Sequence, residues 1–370
     1  MKTIRREEAM MSKAKKALIT ASVFLAIGIT GSIISGFYMV PKVASEVYRV
    51  QREIRNAAPI EREVFTTGEE ITSINITALE YKGFDVEIRP STDANTKIKV
   101  YEYLDGDIQV VTSYDATEKK LVVTGERTLY NILDADNMKG LFERGYNVVL
   151  YTLMEESNRT NQIVIEVPSG VDINFDGNYY NNLTITDNAV LKDNLTYLCS
   201  NGYVNLPLNN TLKNIDIRSN GYLEMDLREF INADKVNLEG NSISIESRGY
   251  AREYASVERL PESVNIYGNH VDIESYMPIG KNVIITGDDV DYESNFEAYP
   301  MNVQLRGRSG ANCYYYGSGI ESNFGGDRVQ ESYEGIIGNG QTSDYNLSIN
   351  RYHYCELSNA TSAEIESDLR

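Results

Sequence analysis

Between residues 183 and 307 the chain repeats itself, and this limits its possible folds more than any other feature. Ser200-Asn201-Gly202-Tyr203-Val204-Asn205-Leu206 returns 19 positions later as Ser219-Asn220-Gly221-Tyr222-Leu223-Glu224-Met225. A closer pair links Val236-Asn237-Leu238-Glu239-Gly240-Asn241-Ser242-Ile243-Ser244-Ile245-Glu246-Ser247 to Val264-Asn265-Ile266-Tyr267-Gly268-Asn269-His270-Val271-Asp272-Ile273-Glu274-Ser275. The pattern returns from Val283 to Ser294 and weakly at Val303 to Gly307. The spacings are 28, 19 and 20, and an outward loop at 249–259 accounts for the longest. A period near twenty, with strand, Gly/Asn turn and strand, predicts a solenoid.

The physics of such a repeat is specific. Each apolar-x-apolar triplet puts two side chains on one face of a strand and the polar residue between them on the other. The inward residues stack into a continuous core, and the Gly-Asn and Asn-Gly pairs turn the chain from one strand to the next. No single coil buries its apolar face alone. Leu212-Lys213-Asn214-Ile215-Asp216-Ile217-Arg218-Ser219-Asn220 also fits a leucine-rich repeat. Alternation nevertheless resumes at once in Ser242-Ile243-Ser244-Ile245, which favours two strands per coil and an all-β, parallel β-helix fold. Upstream, short alternating strands begin at Glu69 and run through Ile74-Asn75-Ile76 and Phe84-Asp85-Val86 to Ile163–Val167, where Pro168 ends the strand. The stretch 129–142 interrupts them as a short helix or an excursion loop.

A second feature lies upstream. Residues 17–40 contain no Asp, Glu, Lys, Arg or His, and a bilayer core needs about 20 apolar residues, so this run is expected to be an uncleaved transmembrane helix. A signal peptide has a shorter apolar core of about 7–15 residues. Lys2, Arg5, Arg6, Lys13, Lys15 and Lys16 precede the span, which favours a cytoplasmic N-terminus and a translocated C-terminal part. The predicted layout is a cytoplasmic tail at 1–16, the span at 17–40, a helical stalk at 41–60 and a β-solenoid at 61–370. Gly28, Ser32 and Gly36 share one helical face and form either a dimer seam or the small residues common in membrane helices. Val43, Val47, Val50, Ile54 and Ala57 continue helical spacing into the stalk.

Charge narrows the partners. The net charge is −19, and residues 1–40 carry six basic and two acidic side chains, so the rest of the chain holds −23. Nucleic acid is not expected, because phosphate binding needs a basic footprint. Three cysteines and two histidines are too few for a disulfide scaffold or a His-based metal centre. Cys313 and Cys355 could bridge in an oxidising compartment, leaving Cys199 within the array.

Candidate chemistry is sparse. Glu246, Glu274 and Glu293 repeat at one coil position, with Asp288, Asp289 and Asp291 nearby. Aligned, they would form a ladder of hard oxygens suited to Ca²⁺. They serve equally as a solvated acidic face that discourages edge-to-edge pairing. No basic residue recurs beside them, against lyase chemistry, and there is no phosphate loop or nucleophile elbow. Tyr179, Tyr180, Tyr203 and Tyr222 lie in or beside the turns, and Tyr314, Tyr315 and Tyr316 form a run. These give an aromatic strip for glycan rings or protein, or ordinary cross-strand packing. His270 and His353 read as plain surface or strand residues.

The strand pairs at Ile74–Ile76, Phe84–Ile88 and Lys97–Val100, the segment Ile163–Pro168, the Ser-Asn-Gly-Tyr turns and the closing Gly338-Asn339-Gly340 before Tyr345–Ile349 together resemble one family. It is the bacterial putative-adhesin β-helix family of unknown function, many members of which carry one N-terminal membrane helix and some of which belong to envelope-stress operons. The resemblance covers roughly 65–355 and implies no catalytic residue. The resulting expectation is a plasma-membrane, single-pass protein, N-terminus cytoplasmic, whose outer domain is a non-catalytic binding or scaffold component of the cell envelope. Its partners would be the membrane, an envelope glycan or protein, and a second copy through span and stalk. No cofactor is expected. The alternatives are a β-helix carbohydrate-active enzyme and an envelope-stress regulator working through a membrane partner.

Overall fold

A computed structural model of the chain describes residues 48, 52, 56, 58–78, 84–103, 108–127, 160–177, 181–247, 259–316, 328–339 and 342–360. The expected tail and span with Gly28, Ser32 and Gly36, most of the stalk, the stretch 129–142, Tyr179, Tyr180 and the loop at 249–258 lie outside these residues. Tyr48, Arg52 and Asn56 are helical and exposed. Among the described residues no helix is long and apolar enough to cross a membrane. The chain divides into two units, Met1–Ala58 with Ala135–Arg159, and Pro59–Asp134 with Thr160–Arg370.

The second unit is all-β. In chain order its strands are β1 (Ile60–Thr67), β2 (Ser73–Ala78), β3 (Asp85–Pro90), β4 (Thr96–Glu102), β5 (Ile108–Asp115), β6 (Lys120–Arg127), β7 (Gln162–Val167), β8 (Val171–Gly177) and β9 (Leu183–Ile185). Next come β10 (Leu191–Cys199), β11 (Val204–Asn205), β12 (Asn214–Ser219), β13 (Tyr222–Asp226), β14 (Lys235–Glu239), β15 (Ser242–Glu246), β16 (Ser263–Tyr267) and β17 (His270–Glu274). The last are β18 (Asn282–Thr286), β19 (Asp289–Ser294), β20 (Met301–Arg306), β21 (Asn312–Tyr316), β22 (Arg328–Gln330), β23 (Ser332–Ile337), β24 (Tyr345–Asn350) and β25 (Tyr354–Asn359).

They form three sheets. The first has the order β1-β4-β7-β3-β9-β11, the second β23-β20-β24-β18-β16-β14-β12-β10-β8-β2-β6-β5, and the third β13-β15-β17-β19-β25-β21-β22. From β12 to β19 the chain alternates between the second and third sheets, and each strand pairs in parallel with the strand one repeat later. The matched copies in the sequence therefore lie side by side in register: Val236 opposite Val264, and Ile245 opposite Ile273.

Two expectations change. Pairing is not parallel throughout: β1–β4, β4–β7, β5–β6, β20–β23 and β21–β22 are antiparallel. These pairs lie toward sheet ends. Nor do the last coils stack in chain order, because β24 lies between β18 and β20, and β25 between β19 and β21.

The core is a set of columns running across the strands. Ile217, Leu238, Ile266, Ile285 and Ile349 form one in the second sheet. Met225, Ile245, Ile273, Tyr292, Leu357 and Tyr315 form another in the third. All are buried in one continuous cluster, and each aliphatic side chain contributes about 1.5–3 kcal/mol of burial. The outward positions of the second sheet carry amide ladders: Asn214 donates to Asn194 at 2.8 Å, Asn265 to Asn237 at 2.8 Å, and Asn346 to Asn282 at 2.9 Å. Asn346 also accepts from Asn302 at 3.1 Å, so its amide donates on one side and accepts on the other.

Candidate binding groove and acidic face

The first sheet ends at β11 and the third begins at β13, so two successive coils are not joined by a ladder at this point. They touch where Gly221 packs against Asn201 and Ser200, and again where the Asn209 N–H donates to the Arg228 carbonyl at 2.7 Å and Asn210 Nδ2 to the Glu229 carbonyl at 2.5 Å. Further along, a groove of about 560 Å³ opens between Tyr203–Leu208 and Glu224–Glu229. Its wall includes Tyr203, Leu206, Leu208, Glu224, Asp226 and Glu246. Tyr203 is 53% exposed and Leu208 44%, so the groove presents an aromatic ring and an aliphatic side chain to solvent beside three carboxylates.

Local sequence explains the opening. Asp226 caps a short 3₁₀ turn, Leu227–Glu229, by accepting from the Arg228 N–H at 2.8 Å. Glu229 folds back to complete a capping box, its Oε2 accepting from the Asp226 N–H at 2.9 Å. Its Oε1 accepts from the Leu206 N–H at 3.1 Å. One buried carboxylate thus joins the two coils where the ladder fails. Burial pushes the Glu229 carboxyl up to about 6 and the nearby Asp226 charge adds to the rise, against the two N–H bonds that favour the charged form. Arg228 grips Asp226 with two bonds, at 3.0 and 2.6 Å.

The acidic face continues from the groove across the third sheet. Asp226, Glu246, Glu274 and Glu293 occupy one row, and Glu224, Ser244, Asp272, Asp291 and Glu356 the next. The repeat's alignment of Glu246, Glu274 and Glu293 is therefore met strand by strand. Asp291 belongs to the other row, where partial burial, Glu356, Asp272 and Asp289 hold its carboxyl above the usual range. Asp288 leaves the set: it lies in the turn before β19 and pairs with Arg308 at 2.5 Å. Among the described residues no three His, Cys, Asp or Glu side chains are placed to hold a metal ion. His270 faces outward, its Nδ1 3.1 Å from Asp289.

The tyrosines separate by strand parity. Tyr203 and Tyr222 are exposed at and beside the groove, 53% and 56%. Tyr314 and Tyr316 point outward and stack at 6.4 Å, and Tyr314 also meets Tyr354 at 5.7 Å. Tyr315 is a correction to the expected aromatic strip. Alternation along β21 turns it into the core, where it lies edge-on to Phe296 and burial pushes its hydroxyl up to about 12. The expected strip also divides in space, since Tyr222 in β13 and Tyr314 and Tyr316 in β21 are five strands apart in the sheet.

Leu208, Glu224, Asp226 and Glu229 are functional candidates that the repeat pattern did not single out. The Asp226-x-x-Glu229 capping box was the available signal. The break between sheets has no signature in the repeat.

No family model matches the chain, and no curated protein matches it. Solved structures of low similarity do. A putative adhesin from Bacteroides fragilis is 13% identical, with 81% of this chain and 96% of that chain covered and a TM-score of 0.37. A putative adhesin from Parabacteroides distasonis is 11% identical, covering 82% and 98%, with a TM-score of 0.34. A putative cell adhesion protein from Clostridium sporogenes is 11% identical, covering 81% and 98%, with a TM-score of 0.21.

Proposed function

We propose that this chain is a single-pass membrane protein whose residues 61–370 form a β-solenoid outside the cytoplasm. There it acts as a non-catalytic, adhesin-like binding component of the cell envelope. The uncharged run at 17–40 and the basic residues before it support the anchor. The unbroken parallel pairing from β12 to β19 supports the solenoid. The four-residue spacing of Gly28, Ser32 and Gly36 supports pairing of two copies within the membrane, which cross-linking at Val47 tests.

The observation that carries the binding reading is the groove, where exposed Tyr203 and Leu208 adjoin Glu224, Asp226 and Glu246. Concave surfaces with apolar contacts and a few convergent polar groups are the usual form of a ligand site. A tyrosine ring suits the apolar face of a sugar or a protein side chain, and the Glu224 carboxylate accepts hydroxyl or amide protons, whereas Asp226 is held by Arg228. Glu229 has the raised pKa of a catalytic acid, but each of its oxygens already holds a backbone N–H. That commitment favours binding over hydrolysis.

The test uses the full chain in lipid vesicles, incubated with fractionated envelope glycans and envelope proteins. Saturable binding that Tyr203→Ala or Leu208→Ala weakens about tenfold, the scale of one contact residue, is expected, with the ligand recovered unaltered. Absence of saturable binding, or release of a cleaved product, refutes the reading.

A further inference from the structure

The last coil of the array is out of chain order. Coils stacked in sequence would set β20 and β21 beside β18 and β19. Instead β24 pairs with β18 on one side and β20 on the other, and β25 lies likewise between β19 and β21. The slot between Asn282–Ser294 and Met301–Tyr316 is therefore filled by chain made after both. Ladders on both flanks hold the inserted coil, and Asn346 bridges it sideways, donating to Asn282 at 2.9 Å and accepting from Asn302 at 3.1 Å.

One further contact joins the inserted coil to its outer neighbour. Across the third sheet an inward column runs Leu223, Ile243, Val271, Val290, and then Cys355 and Cys313. The two cysteines are direct register partners in β25 and β21, and both are fully buried thiols. Burial, and next to it the neighbouring Cys313, raise the Cys355 thiol, while the Cys313 Sγ lies 3.8 Å from the Tyr314 carbonyl oxygen. Cys199 lies apart in β10 of the second sheet, with Ser219 as its register partner in β12.

We propose that Cys313 and Cys355 form a disulfide as the protein folds, and that this bond fastens the out-of-order coil in its slot. The proposal takes its oxidising surroundings from the extracytoplasmic reading above. Neighbouring strands lie about 4.8 Å apart, inside the roughly 4.4–6.8 Å span of Cα separations that a disulfide bridges. The oxidant is a small-molecule or protein disulfide. The thiolate of one cysteine attacks it, forming a mixed disulfide and releasing one thiolate. The second cysteine, as its thiolate, attacks the mixed disulfide at the first cysteine's sulfur, closing Cys313–Cys355 and releasing the other. Two thiol protons pass to solvent and two electrons to the donor disulfide. Burial pushes the Cys355 thiol up and closes off access, so exchange occurs before the coil docks.

The experiment has two arms, both on the full chain. In the first, reduced and unfolded protein is refolded in a glutathione redox buffer, alkylated in denaturant, digested and weighed. A peptide pair joining Cys313 to Cys355, lighter by two hydrogen atoms, is expected, with Cys199 alkylated. Three alkylated cysteines, or linkage of Cys199 as frequent as that of the pair, overturns the proposal. In the second arm the protein is alkylated as it leaves native membranes. The same link is expected there. If it forms on refolding yet is missing from membrane-derived protein, the extracytoplasmic reading fails and the pairing stands. Hydrogen exchange tests the fastening. Reducing the refolded protein should speed exchange in Tyr345–Asn350 and Tyr354–Asn359 about tenfold or more, a local opening. Exchange unchanged by reduction overturns the fastening role.

Discussion

Glu229 accepts the backbone N–H of Leu206 at 3.1 Å, across 23 residues of chain, and so holds together two coils that share no strand ladder at that point. The same carboxylate binds the Asp226 N–H, which makes it the hinge between the capping box and the groove wall.

This arrangement sets a pH dependence. The Glu229 carboxyl is raised from 4.5 to about 6 in the folded protein, so the folded state holds its proton more tightly than the unfolded chain. The stability contributed by that proton is complete below pH 4.5 and is lost as pH rises through about 6, a change of about 2 kcal/mol. Denaturation of wild type and Glu229→Gln across pH 4–7 should show the stability difference shifting by that amount, against wild type at neutral pH. A difference that stays constant contradicts the assignment.

Glu166 makes the opposite prediction. It is 7% exposed, and Arg89 at 2.7 Å and Lys99 at 3.3 Å lower its carboxyl despite burial that acts to raise it. Its stabilisation is present above 4.5 and is lost as pH falls through the lowered value. Arg89→Met should cost about 1–2 kcal/mol at pH 7, between exposed and buried pairs, with the deficit shrinking in acid. Urea titration at pH 7 and pH 3 checks it.

Ile273 sits in register between Ile245 and Tyr292 and is fully buried. Ile273→Ala should destabilise by about 2–5 kcal/mol, because rigid strands on both sides limit collapse of the cavity. Calorimetry that finds less than about 1 kcal/mol would mean that the column is not tightly packed.

Gly202 closes on the preceding coil, and a Cβ there would collide with the Asn181 carbonyl and the Tyr197 hydroxyl. Tyr197 already donates to that carbonyl at 2.7 Å. Gly202→Ala should cost about 1–3 kcal/mol through overpacking and should perturb the neighbouring Tyr203 side of the groove. Thermal denaturation and ligand titration of the same variant measure both effects.

Much of the third sheet was legible in the sequence. The pairing of Glu246 with Glu274 and Glu293 follows from their equal position in the repeat, as do the inward places of Ile245 and Ile273. The run Tyr314-Tyr315-Tyr316 is one strip only along the chain, since period-two alternation assigns its middle member to the core. Asp288 is close to Asp291 in the chain, but it belongs to a turn, where Arg308 draws it away. Arg308 lies twenty positions on, and no local pattern announces that pairing.

The sequence by itself determined the strands of the repeat, their inward faces and the residues of its turns, because these depend on backbone sterics and on apolar spacing within a few residues; β1 at Ile60–Thr67, before the alternation begins, was not among them. Only the tertiary structure decided which strands became neighbours. The insertion of β24 and β25, the meeting of Cys313 with Cys355 and the break between β11 and β13 all rest on pairings between distant segments. A strand offers the same backbone groups on both edges, so many partners satisfy it locally. The choice among them is made by how all the coils pack at once.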